Sequence, residues 1–252
     1  MTKKGVSSGG GNIPSAMGLL LKDTMTAIIQ VKNENGAVLC SDTWNHGNEN
    51  HYTQKIFFNK ANHVMIAQAG DNGILFEDGY HWLISEILQD FCDNFIADKS
   101  DKCIKILNES LGQFIDNINL DINHKQALSQ YILVYLSKDN KIETFFFEYT
   151  KIFNISSPNT LFWGKNNLNE YCFYIGIEMR KKFDELLSVK FPEKTLSQLQ
   201  DYAINYIARE IQTENNKPDE ERLVGGQIHY VTMDQYGNIG TNIQSLKTKK
   251  TQ

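Results

Sequence analysis

The sequence predicts an α+β fold laid out as a four-layer αββα sandwich, two antiparallel sheets stacked face to face and flanked by helices. Two observations carry that expectation. The elements run in blocks of strands, two helices, strands, two helices and strands, and the strands come as pairs joined by short turns. Strands joined as hairpins are antiparallel, and each pair of amphipathic helices needs a sheet face on which to bury its apolar stripe.

The opening "MTKKGVSSGGGNIPSAMGLLL" is rich in Gly and Ser and has no sustained period. Residues 1–25 therefore read as a flexible leader, 26–245 as a single domain and 246–252 as a polar basic tail. In "TMTAIIQVKNENGAVLCSDTW", alternation predicts strands over 26–32 and 36–42 around an "NENG" turn. "HYTQKIFFN" and "HVMIAQAG" read as a second pair of strands, separated by "KAN".

After Gly70 the period becomes helical, with Ile74, Leu75, Trp82, Leu83, Ile87, Leu88, Phe91 and Phe95 recurring at steps of three and four. A second helix is expected over 100–119, its apolar side formed by Cys103, Ile106, Leu107, Leu111, Phe114 and Ile115. "QYILVYLSKDNKIETFFFEYTKIFNI" predicts a hairpin about "SKDNK", and "TLFWG" a further short strand. Helical periods return over 167–190 and 196–213, with Pro192 as the break between them. "GGQIHYVTMD" and "NIGTNIQS", joined by "QYG", close the chain as a last hairpin.

Composition narrows the function. A chain of 252 residues can bury a sizeable core as one layered domain. The formal net charge of -5, with acidic residues spread along the chain, argues against a nucleic-acid partner held through phosphates. No apolar run is long enough to span a membrane, so no membrane partner is expected and the cytoplasm is the expected compartment. Cys40, Cys92, Cys103 and Cys172 lie far apart without CxxC spacing, which reads as free thiols in a reducing compartment. His46, His51, His63, His81, His124 and His229 form no HxxxH or HxH pair; neither a metal nor a cofactor is expected.

The order of the short motifs points to a family. "MTAIIQVKNENG", "GAVLCSDTW", "TQKIFF" and "IAQAG", followed late in the chain by "VGGQIHYVTMDQYGNIG", resemble in sequence and order the proteasome β-subunits and their bacterial ring-protease relatives. Those proteins belong to the N-terminal nucleophile (Ntn) hydrolases, and the resemblance covers roughly residues 24–245. It implies an Ntn-hydrolase fold and a mature chain that starts at a threonine after the leader is cleaved off as a propeptide. Threonine suits that position because its own free α-amine, with a pKa of about 8, can accept the hydroxyl proton, whereas an internal amide nitrogen has no such basicity.

Thr26 lies sixteen positions before Asp42, the spacing the family keeps; Thr24, on the same strand face, requires a turn two residues longer. Met25 and Asp23 precede the two threonines where the family commonly has glycine. By resemblance, Asp42 orients the positive group, Lys55 stabilises the deprotonated hydroxyl, and Gly70 presents its N–H to the oxyanion of the tetrahedral intermediate. The family's later serine, aspartate and "SGG" serine fall on Lys165 or Asn166, on Glu221 and on Val224.

The expected function is a threonine-type endopeptidase subunit acting on peptides or unfolded proteins. The resemblance also implies a homo-oligomeric ring fed by an ATP-dependent unfoldase. The alternative is a non-catalytic ring scaffold or binding subunit that keeps its leader; a small-amide hydrolase of the same superfamily is a third, weaker reading.

Overall fold

The computed structural model describes residues 19–20, 26–44, 53–70, 73–75, 81–118, 126–152, 159–163, 172–176, 182, 186, 189–218 and 221–246. Within them the chain is a mixed α/β protein with two five-stranded antiparallel sheets and a smaller three-stranded one. In chain order the strands are β1 (Leu19–Leu20), β2 (Ala27–Asn33), β3 (Gly36–Asp42), β4 (Ile56–Asn59), β5 (Val64–Gly70), β6 (Gly73–Leu75) and β7 (His81–Leu83). Helices α1 (Ile84–Asn94) and α2 (Ser100–Asn117) follow. After them come β8 (Gln126–Leu136), β9 (Ile142–Ile152), β10 (Asn159–Trp163) and β11 (Cys172–Gly176), then α3 (Leu196–Glu214), β12 (Ile228–Asp234) and β13 (Ile239–Gln244).

Sheet I has the order β10-β9-β8-β5-β4 and sheet II the order β11-β2-β3-β12-β13. The β2–β3 hairpin turns through Glu34 and Asn35, its register running from Asn33 opposite Gly36 to Ile28 opposite Ser41. In that register Ile28, Leu39 and Ala37 share one face while Ile29, Val38 and Cys40 share the other. Both faces are buried, which is why the strands read as nearly continuous apolar runs.

Among the described residues, three apolar clusters make up the core. One joins Ile84, Leu88, Leu107, Leu111 and Phe114 of α1 and α2 to Tyr131, Leu133, Phe145 and Phe147 of sheet I. A second joins Met65, Ala67, Ile132, Val134 and Phe146 of sheet I to Ile28, Leu39, Val231 and Met233 of sheet II. The third packs Ile29, Val31, Val38 and Cys40 of sheet II against Leu199, Ala203, Ile207 and Ile211 of α3. α3 begins on a capping box: Thr195 Oγ1 accepts from the Gln198 N–H at 3.3 Å and Gln198 Oε1 accepts from the Thr195 N–H at 2.9 Å.

Two expected helices change. The segment after Gly70 is not helical until Ile84: Gly73–Leu75 and His81–Leu83 pair as antiparallel strands. Apolar runs of three residues are too short to reveal an alternation, so they merge into the helical period that follows them. Within the stretch expected to be helical over 167–190, Cys172–Gly176 instead forms β11, added to the free edge of β2. Its sequence, "CFYIG", is aromatic and β-branched, a composition suited to a pleated surface. Only Lys182 and Leu186 are described as helical in that stretch.

Inside the expected leader, Leu19–Leu20 pairs with Leu75 and Ile74 of β6. Thr24, Met25, His46, His51, His124, Lys165 and Asn166 lie outside the described residues, as does the tail from 247 onward. Among the described residues, no helix is long and apolar enough to cross a membrane.

Candidate active site

Three of the four predicted residues, Thr26, Asp42 and Lys55, gather at one end of the β2–β3 hairpin. Thr26 immediately precedes β2 and is buried, and Asp42, the last residue of β3, is completely buried. Lys55 stands just before β4, also buried, its backbone carbonyl accepting from the Gln68 N–H of β5 at 2.9 Å. It therefore belongs to sheet I, while Asp42 belongs to sheet II.

The Asp42 carboxylate is a hub with four donors. Oδ1 accepts from Lys55 Nζ at 2.8 Å and from the Ala27 N–H at 3.0 Å; Oδ2 accepts from the N–H groups of Trp44 and Gly225, each at 3.2 Å. A buried carboxylate survives desolvation only when its lone pairs are filled, and these donors fill them. Burial lowers the pKa of the Lys55 ammonium, and the charge and hydrogen bond of Asp42 oppose that shift. The Ala27 amide ties the residue directly after Thr26 to the oxygen that holds Lys55, so the predicted nucleophile is one peptide unit from the ion pair.

Gly70, at the end of β5, has φ +106°, and a Cβ there would fall 1.9 Å from the Leu128 carbonyl oxygen. Only glycine fits that backbone position. Gly70 pairs with Ser129 of β8, so it lies on sheet I, two residues along β5 from the Gln68 whose N–H meets the Lys55 carbonyl.

Three contributors were not anticipated. Gly176, the last residue of β11, pairs with Ala27; its φ is +115°, and a Cβ would meet the Thr26 carbonyl oxygen at 1.7 Å. Its N–H donates to Gln130 Oε1 of sheet I at 3.0 Å. Gly225 reaches Asp42 because its loop is fastened at both ends: the Leu223 N–H donates to Glu214 Oε2 at 2.9 Å, and the Gln227 N–H donates to Thr43 Oγ1 at 2.9 Å. Arg222 lies over the Trp44 ring at 5.4 Å and closes that side. The "GG" in "VGGQIHY" is the kind of pair that could have pointed to a close backbone approach, whereas nothing in the local pattern around Gln130 marked it.

Of the supporting positions, Glu221 is exposed and Val224 is fully buried, contributing an apolar side chain to the cluster beneath α3 rather than a hydroxyl. Cys40, Cys92 and Cys172 are buried free thiols whose pKa values burial pushes up, which leaves them poor nucleophiles. Among the described residues, no group of three or more His, Cys, Asp or Glu side chains is placed to hold a metal ion. Compared with models of known families and with curated proteins, the chain matches none.

Proposed function

We propose that the chain is a proteasome-like threonine peptidase subunit of the Ntn-hydrolase type, a four-layer αββα sandwich whose nucleophile is Thr26. The observation that carries this reading is the buried Lys55–Asp42 pair, which shares an oxygen with the amide directly after Thr26. The three apolar clusters, one beneath α1 and α2, one between the sheets and one beneath α3, support the layered arrangement.

The chemistry runs in four steps. Hydrolysis of the Met25–Thr26 peptide bond consumes one water and frees the α-amine of Thr26. Thr26 Oγ then attacks a substrate carbonyl carbon while its proton passes to that amine. The resulting oxyanion lies against the Gly70 N–H, and the Lys55 ammonium stabilises the charge developing on Oγ. As the scissile C–N bond breaks, the departing amine takes the proton from the Thr26 ammonium. Water then cleaves the Thr26 ester, returning the hydroxyl and releasing the acid.

Substrates would be peptides or unfolded proteins, the assembly a homo-oligomeric ring, and an ATP-dependent unfoldase its feeder. The buried Val224 in place of the "SGG" serine favours a second reading, a ring scaffold that retains its leader. Intact mass and N-terminal sequencing separate the two. Wild-type protein is expected to start at Thr26 and Thr26→Ala to keep Met1; wild type that keeps Met1 in its assembled form overturns the peptidase reading.

A further inference from the structure

We infer that Gln130 is a positioning residue that sets the distance between the nucleophile strand and the oxyanion strand. This role rests on the Thr26 reading above. Thr26 enters β2 of sheet II, whereas Gly70 ends β5 of sheet I, so the two halves of the reaction belong to different sheets. Between those sheets lies an apolar cluster. Apolar contact holds surfaces together without direction, so on its own it leaves their sliding poorly restrained.

Gln130 supplies the direction. It is 4 % exposed and sits opposite Ala69, one position along β8 from the Ser129 that faces Gly70. Its Oε1 accepts from the Gly176 N–H at 3.0 Å, and Gly176 is the residue that lies too near the Thr26 carbonyl for any side chain to fit there. Its Nε2 donates to Glu148 Oε2 at 2.7 Å, directly across the β8–β9 ladder, which fixes which end of the amide faces Gly176. The path from Gly70 to Thr26 is thus Ala69, Gln130, Gly176, two ladder neighbours and one amide. Like the Lys55–Asp42 pair, it is a polar link between the sheets that ends beside Ala27, the residue after Thr26. A catalytic geometry held this way is sensitive to displacements well below the size of a side chain.

The test labels Thr26 with a peptidyl β-lactone, whose ring ester is opened by Oγ with the proton ending on the ring oxygen; the rate is followed by intact mass. Gln130→Met keeps length and loses both hydrogen bonds; its labelling rate is expected to fall at least tenfold. Gln130→Glu sets two carboxylates side by side, so its rate is expected to rise as pH falls and one of them takes a proton. The exchanged pair Gln130→Glu/Glu148→Gln keeps an acceptor toward the Gly176 amide and is expected to recover most of the wild-type rate without that pH dependence. Should Gln130→Met fail to fold, the pH profile and the exchanged pair still decide the matter. Labelling of all variants at the wild-type rate overturns the role of Gln130 while leaving Thr26 as nucleophile. Wild type that never takes up the lactone overturns the nucleophile and, with it, this role.

Discussion

The helix-covered face of sheet I and the Asp42 corner of sheet II are equally dry, yet they are held by forces of different character. Under α1 and α2, Tyr135, Phe145 and Phe147 form a stacked row, with ring centroids 5.9 and 6.3 Å apart, and Phe95 tilts onto Tyr135 at 5.0 Å. These rings belong to one apolar cluster with the side chains of α1 and α2, so the loss of one contact is shared among its neighbours. At Asp42 a single carboxylate answers four donors from four places in the chain. The first region tolerates replacement by shape; the second depends on the position of two oxygen atoms.

The largest difference is expected from exchanging Asp42 for Asn. An amide brings its own N–H against backbone donors and strips the charge from beside the buried Lys55 ammonium; such a half-removed ion pair costs about 3–5 kcal/mol. Urea denaturation should show that loss for Asp42→Asn and a partial recovery when Lys55→Met is added, because no buried cation then remains. Full additivity of the two changes would mean that the pair is not coupled.

A smaller effect is expected on the aromatic face, and it should depend on size rather than chemistry. Phe147→Ala opens a cavity and should cost about 3 kcal/mol, whereas Phe147→Leu, which keeps most of the volume, should cost about 1 kcal/mol by the same measurement. If the leucine variant were as damaged as the alanine one, this face would be as exacting as the Asp42 corner.

Comparable in size to the alanine change is a pH dependence at His229 of β12. The ring is buried beside Thr241, its Nε2 3.1 Å from Thr241 Oγ1, and burial lowers its pKa from 6.5 to about 4. Between those values an unfolded chain binds a proton that the folded one does not. The contribution of the neutral ring is therefore fully present above pH 6.5 and is lost as pH falls toward 4, a change approaching about 3 kcal/mol. Thermal unfolding across that window should flatten in His229→Gln; an unchanged slope would place the acid sensitivity elsewhere.

The contrast between the two regions also explains what the amino-acid order disclosed. Alternation and turn residues marked β2, β3, β5, β8, β9, β12 and β13 to within a few residues of their ends, because each strand is long enough to show its pattern and is bounded by a polar turn. The α2 and α3 helices were equally plain from their periods. Short strands were not: β6 and β7 have three residues each, and what defines them is a partner rather than a pattern. β11 was lost for a related reason, since its place is decided by the free edge of β2, far away in the chain. At the site, Thr26, Asp42, Lys55 and Gly70 stood in motifs that could be compared with a family. Gly176, Gln130 and the Glu214-held loop act through contacts between remote segments, and those leave no spacing to read.

Under the Thr26 proposal, one small feature bears on maturation. Leu19 and Leu20 pair with β6, which places them upstream of the Met25–Thr26 bond yet fastened to the body of the protein. Scission would therefore leave a nicked product still clasped, and departure would be a second event, the peeling of two residues from a strand edge. Once peeled, Gly73–Leu75 would offer unsatisfied backbone groups to whatever came next, so severance at one end of the fold would create an adhesive margin at another.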